Sequence, residues 1–332
     1  MLKSIPSITF ITMMVYGIFI SLVSNSWFGV WVGMEMNLMT FIPLMIKGKS
    51  NLKPEVSLKY FFIQAMASLI FLQMSMTSEV FFLSLENIIF MSLMMKMGMA
   101  PFHFWLPLVL DGLEWLLVFL LLTIQKMIPL MIIFFLLLTK MMKISYFMII
   151  ISAMVGANGG VNEMYLRKMM AFSSISHMAW MMTAMLKKTM TWFFYYFIYI
   201  IITASILILL FKLNYFHINQ LSDSNMTLKS KFSLVFCLMS LGGFPPLLGF
   251  LAKWAVITDA MNYTSVYILT ILIISSLITL FYYMRVSLML FTLSSLSSSK
   301  FNIISIPLNY EKLIMCLNLI GFTMSGLFWT LN

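Results

Sequence analysis

Long apolar runs separated by short polar clusters organise the chain from end to end. Broken at those clusters, the sequence predicts eleven helical spans. They run at about 8–23, 26–46, 56–76, 80–110, 115–138, 144–162, 166–186, 190–211, 230–260, 264–290 and 311–330. Most are apolar around the whole helical circumference, which fits lipid or a bundle interior rather than an amphipathic surface helix. The runs are too long for strands, and an open sheet edge in lipid would leave backbone groups without partners. The longest polar loop is 213–229, Ser294 to Ser299 forms a short polar linker, and no stretch suits a soluble domain. The expected fold is an all-α polytopic membrane protein, a single transmembrane domain over residues 1–332.

Composition turns the pattern into a statement about solvent. Of 332 residues, 62% are hydrophobic and only 9% charged, with a mean hydropathy of +1.02. A soluble domain carries roughly 25% charged residues, so this chain has too few to cover a surface facing water. At roughly 20 residues per crossing, its length accommodates about 11 to 13 helices. Two cysteines, Cys237 and Cys316, exclude a disulfide scaffold. The 36 methionines are spread over nearly every span, as flexible core filler rather than a metal-handling array.

Charge adds an orientation. The net charge is +10, but the basic residues sit singly or in pairs between apolar runs and form no stripe for nucleic acid. With the N-terminus inside, thirteen basic residues fall at the inner side and four outside, the four being Lys140, Lys143, Lys187 and Lys188. Positive residues favour the inner side, so the N-terminus is expected inside and the C-terminus outside. No cleavable signal or Arg-rich transit peptide is legible after Met1; an organellar address would then mean synthesis within the organelle.

Two spans are interrupted. The fourth holds Lys96-Met97-Gly98-Met99-Ala100-Pro101, and the ninth holds Gly242-Gly243-Phe244-Pro245-Pro246 through Lys253. Proline removes a backbone donor and glycine tolerates the bend. Lying five spans apart, the two breaks would cross the membrane in opposite directions. Interrupted helices in oppositely oriented halves point to a transporter built from inverted repeats, with the ion path at the breaks. The expectation is two inverted five-helix repeats with one discontinuous helix each, at about 1–143 and 144–292. Residues 293–332 would form a linker and C-terminal helix. Tolerated kinks, common in membrane helices, are the alternative.

Four ionisable groups resist assignment to a loop: Glu35, Lys96, Lys126 and Lys253. A charge at the centre of a membrane helix costs roughly 2.5–3.5 kcal/mol. Left unpaired, the four would cost on the order of 10 kcal/mol, comparable with the whole stability of many folds. They must neutralise, pair or meet water. Desolvation disfavours the charged form, so a neighbour's charge can load or release a proton, and lysines linked by water would form a relay. A structural carboxylate at Glu35, and lysines donating to freed carbonyls at the two breaks, are the alternatives. His103, just past the first break, and His177, on a serine-lined helix, are secondary relay candidates. The sequence has no Walker loop, no dinucleotide glycine motif on a strand–helix unit, and no cysteine cluster for iron–sulfur. The isolated lysines and separated histidines suit no metal.

Residues 24–37, Lys96 to Trp105, Leu166 to Trp180 and Gly242 to Trp254 resemble, in matching order, subunit 2 of mitochondrial NADH–ubiquinone oxidoreductase, respiratory complex I. The animal form is most similar, an insect one by its Met, Ile, Phe and Lys bias. The tail beyond about 290 matches only in hydropathy. The resemblance implies an antiporter-like subunit in the membrane arm of a proton pump, made in the mitochondrion. It sets Glu35 in the place of that family's mid-membrane glutamate, and Lys96, Lys126 and Lys253 in the places of its three relay lysines. It implies an inner mitochondrial membrane address, with the N-terminus in the matrix and the C-terminus in the intermembrane space. It also implies other membrane-arm subunits and lipids as partners. No cofactor is expected on this chain, since NADH, flavin, iron–sulfur centres and ubiquinone are handled by other subunits. A stand-alone cation/proton antiporter and a purely structural membrane subunit are the competing readings.

Overall fold

Backbone hydrogen bonding in lipid must close within helices, and the computed structural model of the chain is helical throughout the residues it describes. These are 5–47, 52–77, 85–139, 143–187, 189–222, 228–261 and 266–292. Among them lie fourteen helices, and the one strand-like pairing is a bridge between Tyr165 and His217. The eleventh predicted span and the 294–299 linker lie outside the described residues.

The chain divides into two compact units, Met1–Met148 and Ile149–Asn332. In the first, α1 (Ile5–Val23) packs on α2 (Trp27–Ile46), and α2 packs on α3 (Leu52–Met76). Helix α3 meets α4 (Leu85–Met97) and α5 (Trp105–Gly112); α6 (Trp115–Leu122) leads into α7 (Ile124–Thr139), which packs on α4 and α1. Helix α8 (Lys143–Val161) begins at the end of this unit. The second unit continues with α9 (Leu166–Leu186), α10 (Thr191–Leu213), α11 (Ile218–Ser222), α12 (Leu228–Gly242), α13 (Leu248–Ala260) and α14 (Val266–Thr292). There α9 is buried along nearly its whole length, beneath α10, α13 and α14.

Among the described residues, six helical stretches are long and apolar enough by themselves to cross a membrane: Trp27–Ile46, Lys53–Met76, Trp115–Leu138, Lys143–Val161, Thr191–Leu213 and Val266–Phe291. Their outward faces carry large apolar side chains, such as Phe62, Met66 and Leu69 on α3 and Ile274, Leu277 and Phe281 on α14. Such faces fit hydrocarbon and not water. The chain is an integral, multi-pass membrane protein.

Both predicted interruptions are present, and they are built alike. Helix α4 ends at Gly98, whose φ of 70° is left-handed. Gly98 N–H donates to Met95 O at 3.2 Å and Met99 N–H to Met94 O at 3.1 Å. Helix α12 ends at Gly243, φ 80°, with Gly243 N–H on Ser240 O at 3.1 Å and Phe244 N–H on Met239 O at 3.0 Å. These paired bonds make a Schellman ending, which places its glycine where a Cβ would be strained.

A third interruption was not expected. The 115–138 span, predicted as one helix, breaks at Thr123 (φ −114°, ψ −83°) into α6 and α7. Pro129 lacks the N–H that would bond the carbonyl of Gln125. At the break Phe119 O accepts from both Thr123 Oγ1, at 2.6 Å, and Thr123 N–H, at 3.0 Å. The polar 213–229 loop also differs from expectation: it contains α11, and Leu166 N–H and Ile218 N–H bond across it to Phe216 O and Met164 O.

Candidate functional site

The three lysines singled out by sequence are all buried. Lys96 is 9% exposed, Lys126 2% and Lys253 6%. Glu35, on α2, is half-buried.

Lys96 lies in the last turn of α4. Its ammonium donates to Met34 Sδ at 3.4 Å, and its backbone carbonyl, freed by the break, accepts from Gln64 Nε2 at 3.1 Å. Ion pairs among the described residues join Lys53 to Glu114, Lys59 to Glu55 and Lys187 to Asp259. Glu35 and Lys96 are not in an ion pair within 4.0 Å. The physical reason is the helix face: Glu35 leaves the buried stripe on which Met34, Asn37 and Leu38 lie.

Lys126 sits in the first turn of α7, just past the Thr123 break. Its Nζ is buried and has no hydrogen-bond partner among the described residues. An ammonium has three donors, and leaving them unmet in an apolar interior is costly. Neighbouring Gln125 is better supplied. Its Oε1 accepts from Tyr60 O–H at 3.2 Å, and its Nε2 donates to Asn37 Oδ1 at 3.0 Å. Asn37, Tyr60 and Gln64 are buried.

Lys253, on α13, reaches back to the second break and donates to Gly242 O at 2.7 Å. Its ammonium also stands 5.8 Å from the Trp180 ring centroid on α9, within cation–π range. A Cβ on Gly243 would meet Lys253 Cδ at 2.8 Å, so the glycine also leaves room for the lysine stem. His177 lies one turn before Trp180, its Nδ1 2.8 Å from Tyr195 O–H and its ring 5.2 Å from that of Tyr199. His103 lies in the turns of the first break, buried, with its ring 4.2 Å from that of Phe104.

Within the first unit the fold thus gathers Lys96 with Asn37, Tyr60, Gln64 and Gln125; within the second it gathers Lys253 with Trp180. The amides and Tyr60 escaped the sequence reading. Asn37 and Gln125 were visible only as neutral polar residues inside apolar spans, next to Glu35 and Lys126. Their partners come from helices 88 and 65 residues away in sequence, which no local pattern reveals.

Interrupted helices with ionisable side chains sealed beside them define the class: an all-helical, multi-pass membrane protein with charge-bearing groups in its interior. The transmembrane model of the NADH:quinone oxidoreductase/Mrp antiporter family matches residues 73–279. The NADH-ubiquinone oxidoreductase chain 2 of Aedes aegypti is 41% identical, over 96% of this chain and 96% of its own. That of Anopheles gambiae is also 41% identical, over 88% of each. A chain of respiratory complex I from Thermus thermophilus superposes with a TM-score of 0.81 at 18% identity, over 95% of this chain and 76% of that one. The chain belongs to the NADH-ubiquinone oxidoreductase chain 2 family.

Proposed function

We propose that the chain is a core membrane-arm subunit of the proton-pumping NADH:ubiquinone oxidoreductase, and that it relays protons through ionisable side chains at mid-membrane depth. Family membership supports the first part. The second rests on one observation above all: an ammonium at Lys126, 2% exposed and without a hydrogen-bond partner among the described residues. A permanent charge there would be unstable, whereas a group that takes up and gives up a proton has a use for such a place.

In this reading Glu35 and Lys96 form a switching pair that closes when the lysine is charged and parts when it is neutral. Lys126 is the central relay and Lys253 the exit-side or inter-subunit relay. His103 and His177 are secondary members. Electron transfer from NADH to ubiquinone takes place on other subunits, whose cofactors this chain does not carry. Its partners are the other membrane-arm subunits and lipid.

Eleven crossings, arranged as two inverted five-helix repeats and a final helix, are the layout we infer. The identical endings at Gly98 and Gly243 support it, as does the division into two units near residue 148. The basic-residue count supports a matrix N-terminus and an intermembrane-space C-terminus in the inner mitochondrial membrane.

The family model also describes Mrp antiporters, so a stand-alone antiporter is the second reading. One experiment addresses both. The chain should co-migrate with NADH dehydrogenase activity on a native gel, and the Lys126→Ala form should assemble likewise yet lose proton translocation. Ion exchange by the purified single chain in vesicles would favour the antiporter. Unchanged protons per electron in the assembled Lys126→Ala complex would remove the relay role.

A further inference from the structure

Helices α2, α3, α4 and α7 leave a cavity of about 20 Å³ beside Lys96, lined by Asn37, Tyr60, Gln64, Gln125 and Lys96 itself among apolar walls. A single water needs about 10–15 Å³ of such space and two to four polar partners. The chamber has room for one.

Its polar groups are arranged rather than scattered. Gln125 stands between the Tyr60 hydroxyl, which it accepts from, and Asn37 Oδ1, which it donates to. Gln64 is held to the Lys96 carbonyl. Each amide oxygen has two lone pairs, and those of Gln125 and Asn37 each use one in these bonds. The Lys96 ammonium carries three N–H groups, and one of them meets a thioether, a weak acceptor. Unused acceptors thus line the same small space as unused donors.

We infer that this chamber is a one-water station for Lys96 and that Gln125 is the positioning residue that holds the water against the ammonium. The inference rests on the reading of Lys96 as a proton carrier. The water accepts a proton from Lys96 Nζ while it passes one of its own on toward the neutral amine of Lys126, the next group of the relay, which ends protonated. Lys96 Nζ is left neutral, and no bond between heavy atoms changes. The amides and the phenol keep their protons and set the water's orientation. Gln125 also ties the station to the α6–α7 break, because it lies two residues beyond Thr123 and one before Lys126.

The test is Gln125→Leu in the assembled complex, read by coupled turnover and by its solvent deuterium isotope effect. Loss of the hydrogen bond that holds the water predicts a fall of about twofold to tenfold, with a larger isotope effect because proton transfer then limits the rate. A purely structural role would lower the amount of complex and leave the isotope effect unchanged; that result, or wild-type turnover, overturns the proposal. If Gln125→Leu fails to assemble, Tyr60→Phe removes only the hydroxyl and is read in the same way. It should show a slower rate with a larger isotope effect, and wild-type behaviour overturns the proposal. Lys126→Ala measured in parallel separates the two levels. Loss of pumping there with no change at Gln125 or Tyr60 sinks the station alone; no change at any of them sinks the relay reading as well.

Discussion

At the scale of single residues, burial sorts the chain's ionisable groups. Lys53 and Glu114 pair near helix ends, as do Lys187 and Asp259, the latter two about a quarter exposed. Lys96, Lys126 and Lys253 are withdrawn from the surface, and each meets its surroundings differently: a thioether, no partner among the described residues, and a backbone carbonyl. The glycines around the second break are equally unlike one another. A Cβ on Gly249 would lie 1.6 Å from Ser240 O, a backbone atom that cannot swing away. A Cβ on Gly242 would find nothing nearer than 3.4 Å, an ordinary contact. Gly249→Ala should therefore force α12 and α13 apart. Overpacking of this kind typically costs about 1–3 kcal/mol, and occasionally more, seen as a lower melting temperature or loss of the assembled protein. Gly242→Ala should be close to neutral in the same assay. The buried lysines were legible in the sequence because a charge in an apolar run has a known cost. The amides around them were not, because a neutral amide costs little until its partners are known.

Among the secondary-structure elements, the interruptions carry the most information. At the two breaks beside Gly98 and Gly243, a side chain from beyond the break returns to bond a carbonyl at the helix end. Trp105 Nε1 donates to Met95 O at 3.1 Å at the first break, and Lys253 does the same at Gly242 O. Trp105→Phe keeps the ring in place and removes the donor. Met95 O keeps its bond from Gly98 N–H, so the variant loses one hydrogen bond, worth about 0.5–1.5 kcal/mol; it should melt slightly earlier than the parent, and an unchanged melting temperature would show that the indole bond adds nothing net. Two of the three breaks were legible because Gly98–Pro101 and Gly243–Pro246 combine a helix-ending glycine with proline. The break at Thr123 was not, since no glycine marks it and Pro129, the residue that removes a helix donor, lies six residues downstream. Helix α11 was missed for a simpler reason. Five residues, Ile218–Ser222, are too few to leave a periodic signal.

Across the whole molecule, the apolar runs decided the class before any contact was known, because only a helical membrane protein can dispose of so much apolar surface. What the sequence left open was whether the buried ammonium groups meet water or carboxylates, and that question is also where the proposed function stands or falls. The most direct measurement is a density map of the assembled oxidoreductase, at a resolution that resolves ordered water around this chain. The relay predicts water within hydrogen-bond distance of Lys126 Nζ and one water in the chamber beside Lys96. A dry chamber, with Lys126 bound directly to a carboxylate, would make these lysines structural and contradict the proposal.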